Sequence, residues 1–172
     1  MGRAKYVDSG FLELFDRELD SVYAFFTYRL ACRSDAEDLT QVTFERALRG
    51  WRSFDEGRGS ARVWLMAIAH NLLVDHYRAD RSGQSRSLDE VDEAHLGTSV
   101  QAPSLGLEPE LAAALDQLAQ REREIVALRF GADLSGPEIA ALTDLSLANV
   151  QQILSRTLRR LRESLAEEPA SA

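Results

Sequence analysis

Apolar residues recur along the chain at the three- and four-residue spacing that places them on one face of a helix, and no convincing strand-like alternation is present. The first apolar stripe predicts one helix, or two joined near Arg17, and consists of Leu12, Phe15, Leu19, Val22, Phe26 and Leu30. Ser34 and Glu37 then form a capping-box pattern that predicts the start of a second helix. Its stripe consists of Ala36, Leu39, Thr43, Ala47 and Trp51. The pattern predicts an all-α fold.

The chain divides where this periodicity stops. A glycine-containing loop at 53–60 precedes a predicted helix over 61–80, which is apolar almost all round and is therefore expected to be buried on several sides. From 82 to 107 the periodicity disappears and Ser, Gly and Pro become frequent. Negative charge concentrates there in Asp89, Glu90, Asp92 and Glu93. We predict two small helical domains, 1–81 and 108–168, joined by a flexible acidic linker.

The second domain carries a helix-turn-helix pattern. Pro109 suits the first turn of a helix, and Ser135 with Glu138 forms a second capping-box pattern. A short break at 143–146 separates that capped helix from a long last helix. In a helix-turn-helix the second helix lies in the major groove of DNA, which makes this helix the candidate reader of sequence.

The last helix is amphipathic. Its predicted apolar stripe consists of Leu147, Val150, Leu154, Leu158, Leu161 and Leu165. The opposite face consists of Ala148, Asn149, Gln152, Ser155, Arg156 and Arg159. Small and amide side chains followed by arginines are typical of base-edge contacts followed by phosphate contacts. The alternative is an amphipathic helix that ends a bundle and has a solvated, arginine-rich face.

Composition restricts how DNA would be bound. The formal net charge of −8 over 172 residues argues against a protein that coats DNA unaided, because non-specific DNA affinity comes mainly from neutralised phosphates. Lys5 is the only lysine, and arginine is the side chain suited to bidentate contacts with phosphate and guanine. DNA binding is therefore expected to need a partner.

No other class of chemistry is indicated. The lone Cys32 excludes an internal disulfide, the histidines have no metal-ligand spacing, and no nucleophile grouping or phosphate loop is present, so we expect no cofactor, no metal and no enzyme. The amino terminus lacks the features of a signal peptide, and apolar runs fall short of the roughly 20 residues that span a bilayer. We expect a cytoplasmic protein without membrane insertion.

The second domain resembles region 4 of bacterial sigma factors at 118–130, 134–142 and 146–150. The resemblance implies that the last helix reads the −35 promoter element. The positions it implies, together with those from the helical projection, are Ser146, Ala148, Asn149, Gln152, Ser155, Arg156 and Arg159. Gln151 and Ile153 depart from the pattern, because relatives often carry basic residues there, and this implies a smaller contribution from phosphate contacts.

The segment 34–48 resembles sigma region 2.2, which grips the clamp helices of the largest polymerase subunit. Asp38, Gln41 and Glu45 share the face opposite the apolar stripe, and Val42 is predicted to be exposed among them. An exposed apolar residue within an acidic patch favours a protein partner. The alternative is an ordinary solvated acidic face.

The segment 54–81 resembles sigma regions 2.3 and 2.4, which open the promoter and hold the −10 element as a single strand. Such capture needs apolar or aromatic walls, polar groups for the base edge and cations along the backbone. The implied residues are Arg58, Ser60, Arg62, Trp64, Asn71, His76, Tyr77, Arg78 and Arg81. Trp64 is alternatively a core residue, and Asp75 alternatively only pairs with Arg78 one turn on.

The order of these motifs resembles the small extracytoplasmic-function (ECF) sigma factors. The resemblance implies a promoter-recognition subunit whose partners are promoter DNA, an anti-sigma factor and core RNA polymerase, contacted at the clamp helices of the largest subunit and the flap of the second-largest. The acidic linker either occupies a basic channel of the core enzyme or serves solubility and reach. The rival hypothesis is a stand-alone helix-turn-helix regulator whose first domain senses a ligand or dimerises.

Overall fold

A computed structural model describes residues 8–84 and 108–167, and the regular elements within these ranges are all helical. The α-helices are α1 (Ser9–Thr27), α2 (Arg33–Gly50), α3 (Ala61–Gln84), α4 (Pro109–Asp116), α5 (Gln120–Val126), α6 (Gly136–Thr143) and α7 (Leu147–Glu167). Two 3₁₀ turns connect α2 to α3 at Trp51–Ser53 and Glu56–Arg58, and a π-helical turn follows α5 at Ala127–Gly131. The all-α prediction is confirmed.

The first domain forms around α1, which is a single helix. Its buried residues recur at helical spacing, so that one face of α1 packs against α2 and α3; they are Phe11, Leu14, Glu18, Val22, Phe25, Phe26 and Thr27. Leu12 was predicted to be in this stripe, but it is 49% exposed. Phe11 is buried instead, and neighbouring positions on a helix point about 100° apart, so both cannot face the core.

The start of α2 corrects the first capping-box prediction. Cys32 is the N-cap and makes no side-chain cap bond, and Ser34 already lies inside the helix. The Glu37 carboxylate instead accepts a hydrogen bond from Nε of Arg33 at 2.7 Å, one turn earlier on the exposed surface. The Ser34 and Glu37 spacing thus matches the motif, but the helix begins two residues too early for it to form.

The second capping box is confirmed. Oε2 of Glu138 accepts hydrogen bonds from the backbone N of Ser135 at 2.8 Å and from its Oγ at 2.6 Å. These bonds lower the pKa of Glu138. At the other end of α6, Asp144 adopts the left-handed conformation with φ 56°, and Leu145 N donates to the carbonyl of Ala140 at 3.1 Å. The chain then enters α7, which completes the predicted helix-turn-helix.

The predicted apolar stripe of α7 is correct only in its middle. Val150 and Leu161 are buried, whereas Leu147 is 40% and Leu165 42% exposed. The reason is length. The 21 residues of α7 extend past the shorter helices α4, α5 and α6 on which it packs, so the ends of the stripe have less to cover them.

The two domains pack against each other, an arrangement that the sequence left open. The π-helical turn lies against α1 so closely that a Cβ on Gly131 would be 2.9 Å from the backbone N of Phe25. Buried apolar residues of both domains form one continuous cluster. Polar contacts surround it: Nε2 of His70 is 2.7 Å from Oε1 of Glu124, and Arg29 donates to the carbonyl of Gln120 at 2.9 Å.

The predicted linker at 82–107 and its four acidic residues lie outside the described residues, apart from the last turn of α3, which extends to Gln84. None of the described helices is both long and apolar enough to cross a membrane.

Candidate polymerase and nucleic-acid interfaces

The acidic face of α2 is available to a partner. Asp38, Gln41 and Glu45 are exposed, and Nε2 of Gln41 donates to Oε1 of Glu45 at 3.0 Å. Glu45 also contacts NH2 of Arg49 at 3.4 Å. Val42 is half-buried rather than exposed, because α2 is covered by α1 on one side and α3 on the other. The surface is therefore mainly polar where the sequence predicted a central apolar residue.

An apolar groove runs beside this face, between α1 and α2, and the sequence analysis missed it. Its volume is about 580 Å³, and acidic or amide side chains stand at its rim. Apolar and aromatic side chains that line it are Phe11, Phe15, Leu19, Tyr23, Phe44 and Leu48. The available signal was the excess of aromatic residues on α1, but the groove forms only when two helices pack side by side.

Trp64 belongs to an aromatic cluster at the turn between α2 and α3. Its ring centroid is 5.0 Å from that of Phe54 and 6.1 Å from that of Trp51, and the Trp51 and Phe54 rings stack at 5.4 Å. A Cβ on Gly50 would lie 3.2 Å from the indole, so only a small residue fits there. These contacts favour the interpretation of Trp64 as a packing residue.

Arg62 is held by contacts within the protein. Its Nε donates to Oε2 of Glu18 at 2.8 Å and its NH1 to Oδ2 of Asp133, in the second domain, at 3.1 Å. Glu18 is 1% exposed and also accepts from Nε of Arg17 at 2.8 Å. Burial lowers the pKa of Arg62, but the two carboxylates outweigh burial and raise the pKa overall. Sequence reasoning missed Glu18, although an acid within an apolar stripe was a signal.

From its middle to its carboxyl end, α3 carries some side chains that are accessible and others that are bonded within the protein. Asn71 is exposed, and the Arg78 side chain is 76% exposed with NH1 3.7 Å from Oδ1 of Asp75, as the pairing alternative predicted. Tyr77 is engaged: its hydroxyl donates to the carbonyl of Arg29 at 2.7 Å, and the Arg29 guanidinium lies 5.4 Å from its ring centroid. Burial lowers the pKa of Arg29.

Two further predicted −10 residues, His76 and Ser60, lie on α3 and just before it. Nε2 of the half-buried His76 lies 4.0 Å from Oδ2 of Asp35. Ser60 is exposed and caps α3, since its Oγ accepts a hydrogen bond from Val63 N at 3.3 Å. The structure describes the backbone but not the side chains of Arg58 and Arg81, so their predicted contacts stay predictions. The described −10 candidates are thus distributed along α3 and the turn before it, and Arg62, Trp64 and Tyr77 among them are engaged within the protein.

The α7 residues predicted to face DNA are all exposed: Ser146, Ala148, Asn149, Gln152, Ser155, Arg156 and Arg159. Ser146 also stabilises the start of the helix, because its Oγ accepts a hydrogen bond from Asn149 N at 3.2 Å. Arg156 has an additional contact, with its Nε 3.6 Å from Oε1 of Glu122. The exposed face keeps the order of small, amide and basic side chains.

Comparisons with known families agree with this division. Residues 14–83 match Sigma-70 region 2, and residues 114–163 match Sigma-70, region 4. A helical domain of the first kind followed by a helix-turn-helix of the second defines the class as a sigma factor of RNA polymerase, a protein that directs transcription initiation. The match of the first domain to region 2 does not favour the rival hypothesis of a sensing or dimerisation domain.

Curated relatives narrow the class. The chain is 30% identical to RNA polymerase sigma factor YlaC of Bacillus subtilis, over 77% of this chain and 78% of that protein. It is 28% identical to ECF RNA polymerase sigma factor SigX of the same organism, over 92% and 85%. It is also 30% identical to ECF sigma factor BldN of Streptomyces coelicolor, over 92% of this chain but 61% of that longer protein. The chain belongs to the ECF RNA polymerase sigma factors.

Two solved structures share the fold. The sigma factor RpoE of Bartonella quintana, crystallised with the anti-sigma factor NepR, matches with a TM-score of 0.72 at 23% identity, over 94% of this chain and all of that one. CnrH, solved in complex with the cytosolic domain of CnrY, matches with a TM-score of 0.63 at 24% identity, over 94% and 90%.

Proposed function

We propose that this sigma factor divides its work between three surfaces: α2 for core polymerase, α3 for the melted −10 element and α7 for the −35 duplex. The observation that carries the proposal is the exposed face of α7, whose predicted readers all remain accessible although the two domains are packed together. The chain itself performs no catalytic step on this account, because the polymerase supplies the chemistry. Because a sigma factor acts on RNA polymerase, we expect the chain to lie in the cytoplasm.

Core binding is assigned to Asp38, Gln41 and Glu45, with the half-buried Val42 contributing at the edge of the patch. The exposed carboxylates and amide offer charge and hydrogen bonds, while the neighbouring groove between α1 and α2 offers apolar surface. A mainly polar rim beside an apolar centre is the usual anatomy of a protein interface. The resemblance implies that the partner surface is the clamp helices of the largest subunit, where basic side chains would complement the acidic patch.

Recognition of the −10 element is assigned to the turn before α3 and to the exposed side of α3. Asn71 and Arg78 are accessible there, with His76 beside them. Nε of Arg62 is held by Glu18 within the first domain and its NH1 by Asp133 of the second, so that only NH1 becomes available if the domains separate. Trp64 supports the turn by packing. The segment 54–81, including Arg58, Ser60, Tyr77 and Arg81, is thus assigned as a unit.

Recognition of the −35 element is assigned to α7, with Ala148, Asn149 and Gln152 nearest the bases and Arg156 and Arg159 nearest the phosphates. The polar side chains that begin the helix can reach base edges in the major groove. The net charge of −8 limits unaided binding. Core polymerase, through its flap, would hold the second domain at the correct distance from the first.

An anti-sigma factor is a further proposed partner. RpoE of Bartonella quintana is described as a complex with the anti-sigma factor NepR, and CnrH as a complex with the cytosolic domain of CnrY. By analogy, a protein that stabilises the packed arrangement of the two domains would keep Arg62 engaged and oppose promoter binding.

The assignment of α2 is tested by changing Asp38→Ala together with Gln41→Ala. Affinity for purified core polymerase, measured by fluorescence anisotropy, should fall about three- to tenfold, because two polar contacts beside the apolar groove are lost. The matched control is Glu110→Ala with Gln117→Ala, which removes an exposed acid from α4 and an exposed amide from its C-cap. Equal core affinity of the α2 variant and the wild type would contradict the assignment.

A further inference from the structure

Glu122 is a buried carboxylate that lies beneath the recognition helix. Its side chain is 8% exposed, and Oε2 accepts a hydrogen bond from NH1 of Arg160 at 2.7 Å. The same oxygen accepts from the backbone N of Ala119 at 3.2 Å, which ties the carboxylate to the start of α5. Oε1 lies 3.6 Å from Nε of Arg156. One fixed acid therefore contacts two arginines of α7.

The geometry at Arg156 differs from that at Arg160. Glu122 approaches Arg156 at Nε, whereas it approaches Arg160 at a terminal nitrogen. Among the hydrogen bonds within 8–84 and 108–167, none is donated by the terminal nitrogens of Arg156, and its side chain is 55% exposed on the face assigned to DNA. Arginine binds phosphate through such a planar fork of donors. The guanidinium of Arg156 therefore contacts Glu122 at Nε and keeps its terminal nitrogens for a ligand.

We propose that Glu122 is a positioning residue for −35 recognition: it holds Arg156 by Nε so that the terminal nitrogens meet a DNA phosphate. The proposal rests on the proposed role of α7. Two effects oppose each other when Glu122 is removed. Ordering a free arginine on binding would cost about two- to tenfold in affinity. Loss of a negative charge would favour DNA, but that charge is already paired with NH1 of Arg160 at 2.7 Å. The ordering effect should dominate.

The test uses holoenzyme formed from the full chain and core polymerase, with a duplex fragment that the wild-type holoenzyme selects from genomic DNA. Glu122→Met keeps the side-chain volume and removes the acceptor, and it should weaken binding about three- to tenfold. Glu122→Gln keeps one acceptor oxygen for Arg160 and Ala119 N but turns an NH2 donor toward Nε of Arg156, so it should weaken binding to a similar extent. Should the Met variant not fold, Glu122→Ala replaces it, and melting curves identify the variant that folds.

A double-mutant cycle separates positioning from general packing. In an Arg156→Ala background, Glu122→Met should cause no further loss, because the side chain that Glu122 positions is gone. The control Asp116→Ala removes another ion pair of the second domain, 3.1 Å from NH1 of Arg123, and should leave the affinity unchanged.

Two results would overturn the positioning role while leaving the function of α7 intact. One is tighter binding by Glu122→Met, which would identify Glu122 as a charge shield. The other is an equal loss with and without Arg156, which would identify a packing residue. If the wild-type holoenzyme itself selects no fragment, the proposed function fails first, and the wild-type lane alone reveals this.

Discussion

Glu18 is the residue that connects the stability of the first domain to its candidate DNA surface. Its carboxylate is 1% exposed and lies between the guanidinium groups of Arg17 and Arg62, each at 2.8 Å. A charge removed from water is tolerated only when it is paired and hydrogen-bonded. Arg62 therefore has a structural role that precedes any contact with DNA, and its loss should be felt without DNA.

Replacing Arg62→Ala should destabilise the protein by about 1–3 kcal/mol, because Glu18 then keeps only one of its two charged partners. Urea unfolding followed by circular dichroism measures this change. The control Arg49→Ala removes an exposed pair with Glu45 at 3.4 Å and should leave the unfolding midpoint unchanged. An unchanged midpoint for Arg62→Ala would show that water, rather than Arg62, satisfies Glu18.

At the residue scale, the sequence predicted which side chains are exposed better than it predicted which of them are bonded within the protein. The readers on α7 were correctly expected to be exposed, because a helical projection needs only local spacing. The contacts of Arg62 with Asp133 and of Tyr77 with Arg29 join residues 71 and 48 positions apart. No local pattern encodes such pairs, so the sequence could not show which candidate DNA contacts are already occupied.

At the scale of the elements, two segments with the same capping-box spacing behave differently. Ser135 and Glu138 form the box, whereas Ser34 lies inside α2 and Glu37 pairs with Arg33. Helix α6 follows a break in the chain, which is marked by the positive φ of Asp133, two residues before Ser135. This break leaves Ser135 free to act as the N-cap. The motif predicts a helix start only where the preceding backbone turns away.

Ser135→Ala should destabilise the second domain by about 1 kcal/mol at neutral pH, because the hydrogen bond from Oγ to Glu138 is lost while that from the backbone N remains. Hydrogen bonds from Ser135 lower the pKa of Glu138, so the stabilisation by the capping box is present above the ordinary carboxyl pKa of 4.5 and disappears as the pH falls through the lower folded value. Thermal melts of both proteins should therefore converge in acid.

Ser34→Ala is the matched control for that experiment, since Ser34 is exposed and makes no cap. It should melt like the wild type at every pH. A constant difference between Ser135→Ala and the wild type down to acid pH would mean that the Glu138 carboxylate does not contribute to the cap.

The helices and their order could be predicted from the sequence. The residues at which they end and the helices against which they pack were harder to predict. Local periodicity gave the helix-turn-helix and the boundary before α7, because turn and cap residues mark both. The exposure of Leu147 and Leu165 depends on where α4, α5 and α6 stop beneath α7, which is a property of packing. The groove between α1 and α2 has the same origin.

At the scale of the whole molecule, the packing of the two domains is the main result that sequence could not provide. Gly131 allows the second domain to approach the backbone of Phe25 in α1. His70 and Glu124 meet across the boundary; burial raises the pKa of Glu124, but hydrogen bonds from His70 and Arg121 outweigh burial and lower it overall. These contacts link segments on either side of the linker, whose composition is compatible with any arrangement.

This packing supports dependence on a partner. In the packed arrangement, Asp133 of the second domain accepts a hydrogen bond from Arg62 of the first. The net charge of −8 also gives the chain little electrostatic attraction to DNA. Binding of core polymerase to the accessible α2 face would favour separation of the domains and so expose the remaining contacts. Promoter recognition is then a property of the holoenzyme.

The most direct measurement is run-off transcription by purified core polymerase on genomic fragments, with and without the full chain. The account predicts discrete transcripts only when the chain is present, with start sites at a constant distance from a shared upstream element. Identical transcripts with and without the chain, while the chain alone binds those fragments tightly, would contradict it and would identify a stand-alone DNA-binding regulator.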